Sequence, residues 1–194
     1  VAISYLKHLQ KISKYLYMNK GETVFQQGEP SNAIFKVIKG KVHLYRHDLE
    51  GKRGLLFRAY DNNFFAEASL NSNHYHCTAV CVVSTEVQMI NASKMKDLLQ
   101  KNTEFASDWI SLLSSELRHQ RASVERLMIN SATERIRHYL ITEGDSDGVL
   151  RLEGTLTELA EVLGLSRETL YRALGKMERQ GHIERIQDII RLRT

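Results

Sequence analysis

Thr157-Glu158-Leu159-Ala160-Glu161-Val162-Leu163-Gly164-Leu165-Ser166-Arg167-Glu168-Thr169-Leu170-Tyr171-Arg172 reads as two short helices joined by a tight turn. Leu159, Ala160 and Leu163 put a small apolar stripe on the first helix, and Thr157 is placed to cap its start. Gly164 supplies the permissive backbone such a turn needs, and Leu165 fills the space between the helices. Ser166 predicts an N-cap, its hydroxyl accepting from an amide two or three residues on. Leu170 and Leu174, four residues apart, form the buried side of the second helix. Arg167, Glu168, Tyr171 and Arg172 then face outward. A recognition helix enters the major groove by its N-terminal end. There arginine grips guanine O6 and N7, and glutamate accepts from cytosine N4. Arg167 and Arg172 are the candidate guanine readers and Glu168 the candidate cytosine reader. Thr169 and Lys176 fit phosphate contacts, which position without specifying; Ser166 and Tyr171 complete the DNA-facing set. An ordinary helical hairpin with a salt-bridged face has similar spacing, but the full Leu-Gly-Leu-Ser-Arg-Glu-Thr run argues against it.

Residues 157–192 resemble the DNA-binding domain of the CRP/FNR family of bacterial transcription regulators. Ser166-Arg167-Glu168-Thr169 followed by Arg172 is similar to the recognition helix of the cyclic-AMP receptor branch. The resemblance implies that both arginines and the glutamate contact a TGTGA-type half-site, and it brings RNA polymerase in as a partner. Tyr171 departs from the pattern, since the FNR branch has serine there and usually lacks the first arginine. Gly181-His182-Ile183 and Asp188-Ile189-Ile190-Arg191-Leu192 correspond to the strands of a wing.

The chain has 194 residues, 42% of them hydrophobic and 26% charged, which is a globular composition. No apolar run is long enough to cross a bilayer and no signal-peptide pattern opens the sequence, so a cytoplasmic protein without a membrane partner is expected. The net charge of +4 does not come from the DNA-reading half. Residues 131–194 carry 10 Lys and Arg against 11 Asp and Glu, while residues 1–130 carry 17 against 12. Any positive patch on the second half must be local, around Arg167, Arg172, Lys176 and Arg179. The two cysteines, Cys77 and Cys81, are four apart in a β-rich stretch, a spacing that disfavours a disulfide. They cannot supply the four thiolates of an iron–sulfur cluster.

N-terminal to residue 157 the sequence pattern changes twice. Ile3, Leu6, Leu9 and Ile12 predict a short amphipathic helix over residues 1–14. From Lys20 to Asn91, short alternating runs are punctuated by turns at Gly21, Gly28, Gly40, Gly51, Gly54 and Asn62-Asn63. Val24-Phe25, Ile34 to Ile38, Val42 to Tyr45, Leu55 to Phe57 and Thr85 to Ile90 read as strands of a sandwich or β-roll. Lys20-Gly21-Glu22, Phe25-Gln26-Gln27-Gly28-Glu29, Ile38-Lys39-Gly40-Lys41-Val42 and Phe65-Ala66-Glu67-Ala68 resemble the effector domain of the same family, a jelly-roll related to cyclic-nucleotide-binding modules. Then Ala106, Ile110, Leu113, Leu117, Gln120, Val124, Leu127 and Ser131 alternate steps of four and three, the seam of a parallel two-stranded coiled coil. Packing of that helix on its own β-domain is the competing reading. A helix from Ala132 to Leu140, an acidic turn at 143–148 and a strand at 149–152 follow. The expected fold class is α+β. It comprises a β-roll effector domain (1–103), a dimerisation helix (104–130) with Ile110, Leu113, Leu117, Gln120, Val124 and Leu127 at its interface, and a winged helix-turn-helix domain (131–194). A homodimer then offers two recognition helices to a palindromic site, with a signal at the β-roll controlling affinity.

The signal itself is less legible. In cyclic-nucleotide binders of the family, a glutamate holds the ribose and an arginine with a following serine grips the phosphate. Glu67 matches the glutamate, but Asn73-His74-Tyr75-His76-Cys77-Thr78 offers neither arginine nor lysine. Glu116 stands where the cyclic-AMP receptor has an arginine, with Gln120 and Arg121 beyond it, so cyclic AMP is not the expected effector. The pocket set is Glu67, Ala68, Tyr75, Thr78, Gln120 and Arg121. Phe64-Phe65-Ala66-Glu67-Ala68, Tyr75 and Thr78-Ala79 resemble nitric-oxide-responsive, haem-associated regulators, which makes His74, His76, Cys77 or Cys81 candidate iron ligands. The plainer reading makes the cysteines core residues and the histidines solvated. His74 and His76 also fit the first metal motif of a cupin-like enzyme, without an acidic residue three or four positions later and without the second motif. A ligand-binding module that does not touch DNA is the remaining alternative, and it leaves the helix-turn-helix without a role.

Overall fold

Alternating apolar residues give way to seven-residue spacing near residue 103, and the architecture changes character there. The computed structural model describes residues 8–48, 50–152 and 154–193. The chain forms two compact units, one running to Ile110 and the other from Ser111 onward. The division falls inside the long helix, seven residues beyond the boundary expected from composition.

In the first unit, strands β1 (Ser13–Met18), β2 (Thr23–Phe25), β3 (Ala33–Lys39), β4 (Val42–His47), β5 (Arg53–Ala59), β6 (Phe64–Phe65), β7 (Thr78–Cys81) and β8 (Thr85–Asn91) form two antiparallel sheets. Their orders are β1-β8-β3-β6 and β2-β7-β4-β5. Alternation decides the inner face: Val42 and Leu44 on β4, and Ala79 and Cys81 on β7, are buried while their neighbours are not. Phe25, Phe35, Phe65 and Tyr75 fill the space between the sheets. Phe25 stacks on Tyr75 at 3.9 Å and on Phe35 at 5.4 Å between ring centroids. Gly40, between β3 and β4, has φ +118°, and a Cβ there would lie 2.6 Å from the Thr85 hydroxyl. Only glycine fits that crossing.

Residues 8–11 are helical, but Ile12 lies in a turn and β1 begins at Ser13; Ile3 and Leu6 fall outside the described residues. The Tyr15 to Met18 alternation pairs with β8 over six positions, and that ladder outweighs the local helical spacing. Gly54 lies within β5 opposite Arg46 rather than in a turn. An unanticipated helix, α1 (Ala92–Lys101), is capped by Asn91 accepting from the Lys94 amide and packs across β8 and β3.

Helix α2 (Thr103–Met128) follows as one 26-residue element. Its first turns bury Phe105 and Trp109, and Trp109 meets Phe64 edge-on at 5.2 Å. The seam residues lie elsewhere on the helix and are uncovered: Ile110 is 63% exposed, Leu117 51%, Val124 57% and Leu127 52%. Ser131 does not extend this seam. It is the N-cap of α3 (Ala132–Glu143), accepting from the Glu134 amide, because α2 has already ended.

In the second unit, α3, β9 (Val149–Arg151), α4 (Leu156–Val162), α5 (Arg167–Arg179), β10 (Ile183–Ile186) and β11 (Ile189–Leu192) enclose one core. Its three-stranded sheet has the order β10-β11-β9. Ile136, Leu140, Leu163, Leu170, Leu174 and Ile190 are almost wholly removed from solvent, each contributing about 1.5–3 kcal/mol of burial. Arg126 of α2 belongs to this unit and is only 2% exposed. Its guanidinium donates to Thr142 Oγ1 at 3.0 Å and to Glu143 Oε1 at 3.3 Å, and lies 4.6 Å from the Tyr139 ring centre.

Candidate functional site: a nucleic-acid interface

The outward face of α5 is built by the two helix ends that precede it. Helix α4 starts at Thr155, not Thr157: Thr155 accepts from the Glu158 amide, and the Glu158 carboxylate accepts from the Thr155 amide. This reciprocal pair satisfies two otherwise orphaned donors, which a cap two residues later would leave open. After α4 the chain reverses at Gly164, where φ is +60°. A Cβ at Gly164 would lie 2.9 Å from Leu127 Cδ2 and 3.3 Å from Arg135 Nη1. Gly164→Ala is therefore expected to destabilise the second unit by about 1–2 kcal/mol from the left-handed backbone alone. Denaturant unfolding of the variant measures it, and an unchanged midpoint would contradict this account of the turn.

Ser166 caps α5 as expected, accepting from the Thr169 amide at 3.1 Å and donating to Thr169 Oγ1 at 2.8 Å. Leu170, Ala173, Leu174 and Met177 are buried on one side of the helix. Arg167, Glu168, Tyr171, Arg172, Lys176 and Arg179 are exposed on the other. The structure thus brings the residues expected to face DNA together on one surface, with Thr169 half-buried and its hydroxyl engaged in the cap. Four of these exposed side chains are cationic and one is acidic. A positive strip therefore stands on a half of the chain that is not basic as a whole.

A feature the sequence did not signal holds the wing to this helix. Arg185 of β10 donates to Glu178 of α5 at 2.5 Å. That hydrogen bond holds the Glu178 carboxyl below the usual carboxylate range and raises Arg185. The two residues are seven apart and on different elements, so no local spacing rule pairs them.

The residues expected at the effector pocket divide between the units. Glu67, Ala68, Tyr75 and Thr78 belong to the first, and Gln120 and Arg121, both exposed, to the second. Glu67 opens a short 3₁₀ turn, Glu67–Ser69, entered through Ala66 at φ 63°. Tyr75 is a correction: it is a core residue, its hydroxyl donating to the Ala33 carbonyl and accepting from the Ala33 amide. Thr78 Oγ1 accepts from the Gln27 amide at 3.0 Å. An arginine from another strand approaches the 73–78 stretch. Arg46 of β4 donates to the His76 carbonyl at 3.3 Å. Burial, and then Arg46, lower the His76 imidazole.

Of the candidate iron ligands, the two cysteines are buried and the two histidines exposed. Cys77 is buried in the core, and burial pushes its thiol up to about 11, so the thiolate is scarce at neutral pH. His76 is exposed, with Nδ1 3.0 Å from Ser69 Oγ. His74 is also exposed, its main chain bridging to Pro30. Cys81 is a second free, buried core thiol. Among the described residues, no group of three or more His, Cys, Asp or Glu could hold a metal ion, and no helix is long and apolar enough to cross a membrane.

Comparison with known proteins gives two family matches in the order of the two units. Residues 16–102 match the cyclic nucleotide-binding domain, and residues 134–193 match the Crp-like helix-turn-helix domain. The chain is 26% identical over 191 residues to the cAMP-activated global transcriptional regulator Vfr of Pseudomonas aeruginosa, spanning 91% of this chain and 89% of that protein. Its fold is similar to that of FixK2 from Bradyrhizobium japonicum, with a TM-score of 0.70 at 21% identity over 94% of this chain and 93% of that one. The sensor domain of the transcriptional regulator DNR from Pseudomonas aeruginosa matches at 32% identity and a TM-score of 0.53, over 68% of this chain and 87% of that one.

Proposed function

Because the chain belongs to the CRP/FNR family of transcription regulators, we propose that it reads a palindromic operator as a homodimer under control of a signal at its β-roll. It is a DNA-binding transcription regulator with an effector domain and a helix-turn-helix. Its relatives are regulators, and the enzyme alternative built on His74 and His76 finds no support among them. In the proposed assignment, residues 1–103 sense, 104–130 dimerise and 131–194 bind DNA, in the cytoplasm and together with RNA polymerase.

The observation that carries the operator reading is the exposure of Arg167, Glu168 and Arg172 on the first turns of a capped helix whose other side is buried. Arg167 and Arg172 take guanines and Glu168 takes cytosine in a TGTGA-type half-site. The exposed seam at Ile110, Leu113, Leu117, Gln120, Val124 and Leu127 supports a second copy as its cover. Dimerisation spaces the two recognition helices about 34 Å apart, one turn of DNA. The effector shifts an equilibrium between orientations of those helices, and the Arg46, Glu67 and His76 surroundings favour a polar ligand over thiolate-bound haem.

Arg172→Ala is expected to cost about 1–3 kcal/mol at one base pair and to relax discrimination there. Titration of the variant against operators altered one pair at a time measures both effects. Wild-type affinity and selectivity in the variant would remove Arg172 from the reading set.

A further inference from the structure

One side chain fastens the helix-turn-helix to the end of the long helix. Arg135 of α3 donates from Nε (3.0 Å) and Nη2 (2.6 Å) to the carbonyl of Ile129, just past α2. From Nη1 it donates to the carbonyls of Leu163 (2.8 Å) and Gly164 (3.1 Å), at the turn before the recognition helix. Leu163 is the C-cap of α4, so the guanidinium sits between the C-terminal ends of two helices, where peptide dipoles concentrate negative charge. A planar fork can serve carbonyls in two directions at once, which a lysine ammonium cannot do at the same reach. Leu127 adds a steric stop. It is a seam residue, and its Cδ2 sits 2.9 Å from where a Cβ on Gly164 would be. Ser166, the cap of α5, comes two residues after that glycine.

We propose that Arg135 is a positioning residue for operator reading, transmitting the geometry of the seam to the recognition helix. The orientation of α5 is then set by α2 through this strut, and the connection 129–131 does not act as a free joint. Arg126 reinforces the arrangement by tying α2 to the far end of α3. Arg135 itself leaves base reading to Arg167, Glu168 and Arg172. The inference rests on the dimer-and-operator reading above.

The test uses the full chain and duplexes carrying two inverted TGTGA-type half-sites at a series of spacings, with a single half-site duplex alongside. The wild type binds best at one spacing. Arg135→Ala is expected to lose about ten-fold in affinity at that spacing and less at the others, flattening the profile. Binding to the single half-site stays near the wild-type value, and circular dichroism and sedimentation report a folded dimer. Arg135→Lys falls between the two, and carries the same comparison should the alanine variant unfold. An unchanged spacing profile overturns the proposal, as does an equal loss on every duplex, which marks a merely structural role. A wild type that prefers no spacing and no half-site overturns the operator reading, and this inference with it.

Discussion

Arg126→Ala is expected to destabilise the second unit by about 3–5 kcal/mol, the cost of removing one partner from a buried ion pair. Arg126 is 2% exposed and its counterion Glu143 is 19% exposed, so water can replace little of what the guanidinium supplies. Alanine also abandons the Tyr139 ring face and the Thr142 hydroxyl. Glu143 keeps His119, at 2.9 Å, but that histidine is half exposed and cannot fill the space. The surface pair Arg151 and Asp188 makes the control, because both partners are largely solvated and contribute little. Urea unfolding followed by far-ultraviolet circular dichroism distinguishes the two substitutions. Equal effects from Arg126→Ala and Arg151→Ala would refute the buried-pair account. Pairing Arg126→Met with Glu143→Gln should recover much of the loss, since well-packed replacements of a buried pair can be nearly neutral.

Leu117→Glu is expected to have the larger functional effect. Leu117 is the middle of the uncovered seam, flanked by Leu113 and Val124 on the same face. In a parallel pair, two glutamates would face each other where two leucines should interlock, with charge repulsion added to desolvation. The variant should sediment as a monomer at concentrations where the wild type is a dimer. Its affinity for a two-half-site operator should fall on the order of 10²-fold or more, because the second half-site contact is no longer intramolecular. Single half-site binding should persist, since Leu117 is remote in sequence from α5 and lies outside the buried core of that unit. A Leu117→Glu chain that remains dimeric would place the interface elsewhere.

Much of the helix-turn-helix was legible in the sequence because its determinants are local. The Ser166 cap, the Gly164 reversal and the Leu170–Leu174 stripe act within one or two helical turns, and each appears in the structure as read. The seam was legible for the same reason: a four-three alternation needs only a continuous helix to line up on one face. The Thr155 cap was missed although it is local; two other departures trace to a distant partner. Residues 13 and 14, read as the end of a helix, instead open a strand because β8, some seventy residues on, offers a full ladder. Tyr75 has the composition of a pocket residue, yet the Ala33 backbone and the Phe25 ring claim it for the core.

Residue order alone was enough for the family, the succession of a β-rich unit and a helix-turn-helix unit, and the side chains that face outward from α5. Caps, turns and heptads carry that information because their energies depend on residues a few positions apart. What joins these parts emerged from the folded chain. Arg46 beside His76, Arg126 on Glu143, Arg185 on Glu178 and Arg135 across Ile129, Leu163 and Gly164 are all contacts between separate elements. An arginine in a sequence looks the same whether solvated or clamped; burial and the carbonyls around it give it its role.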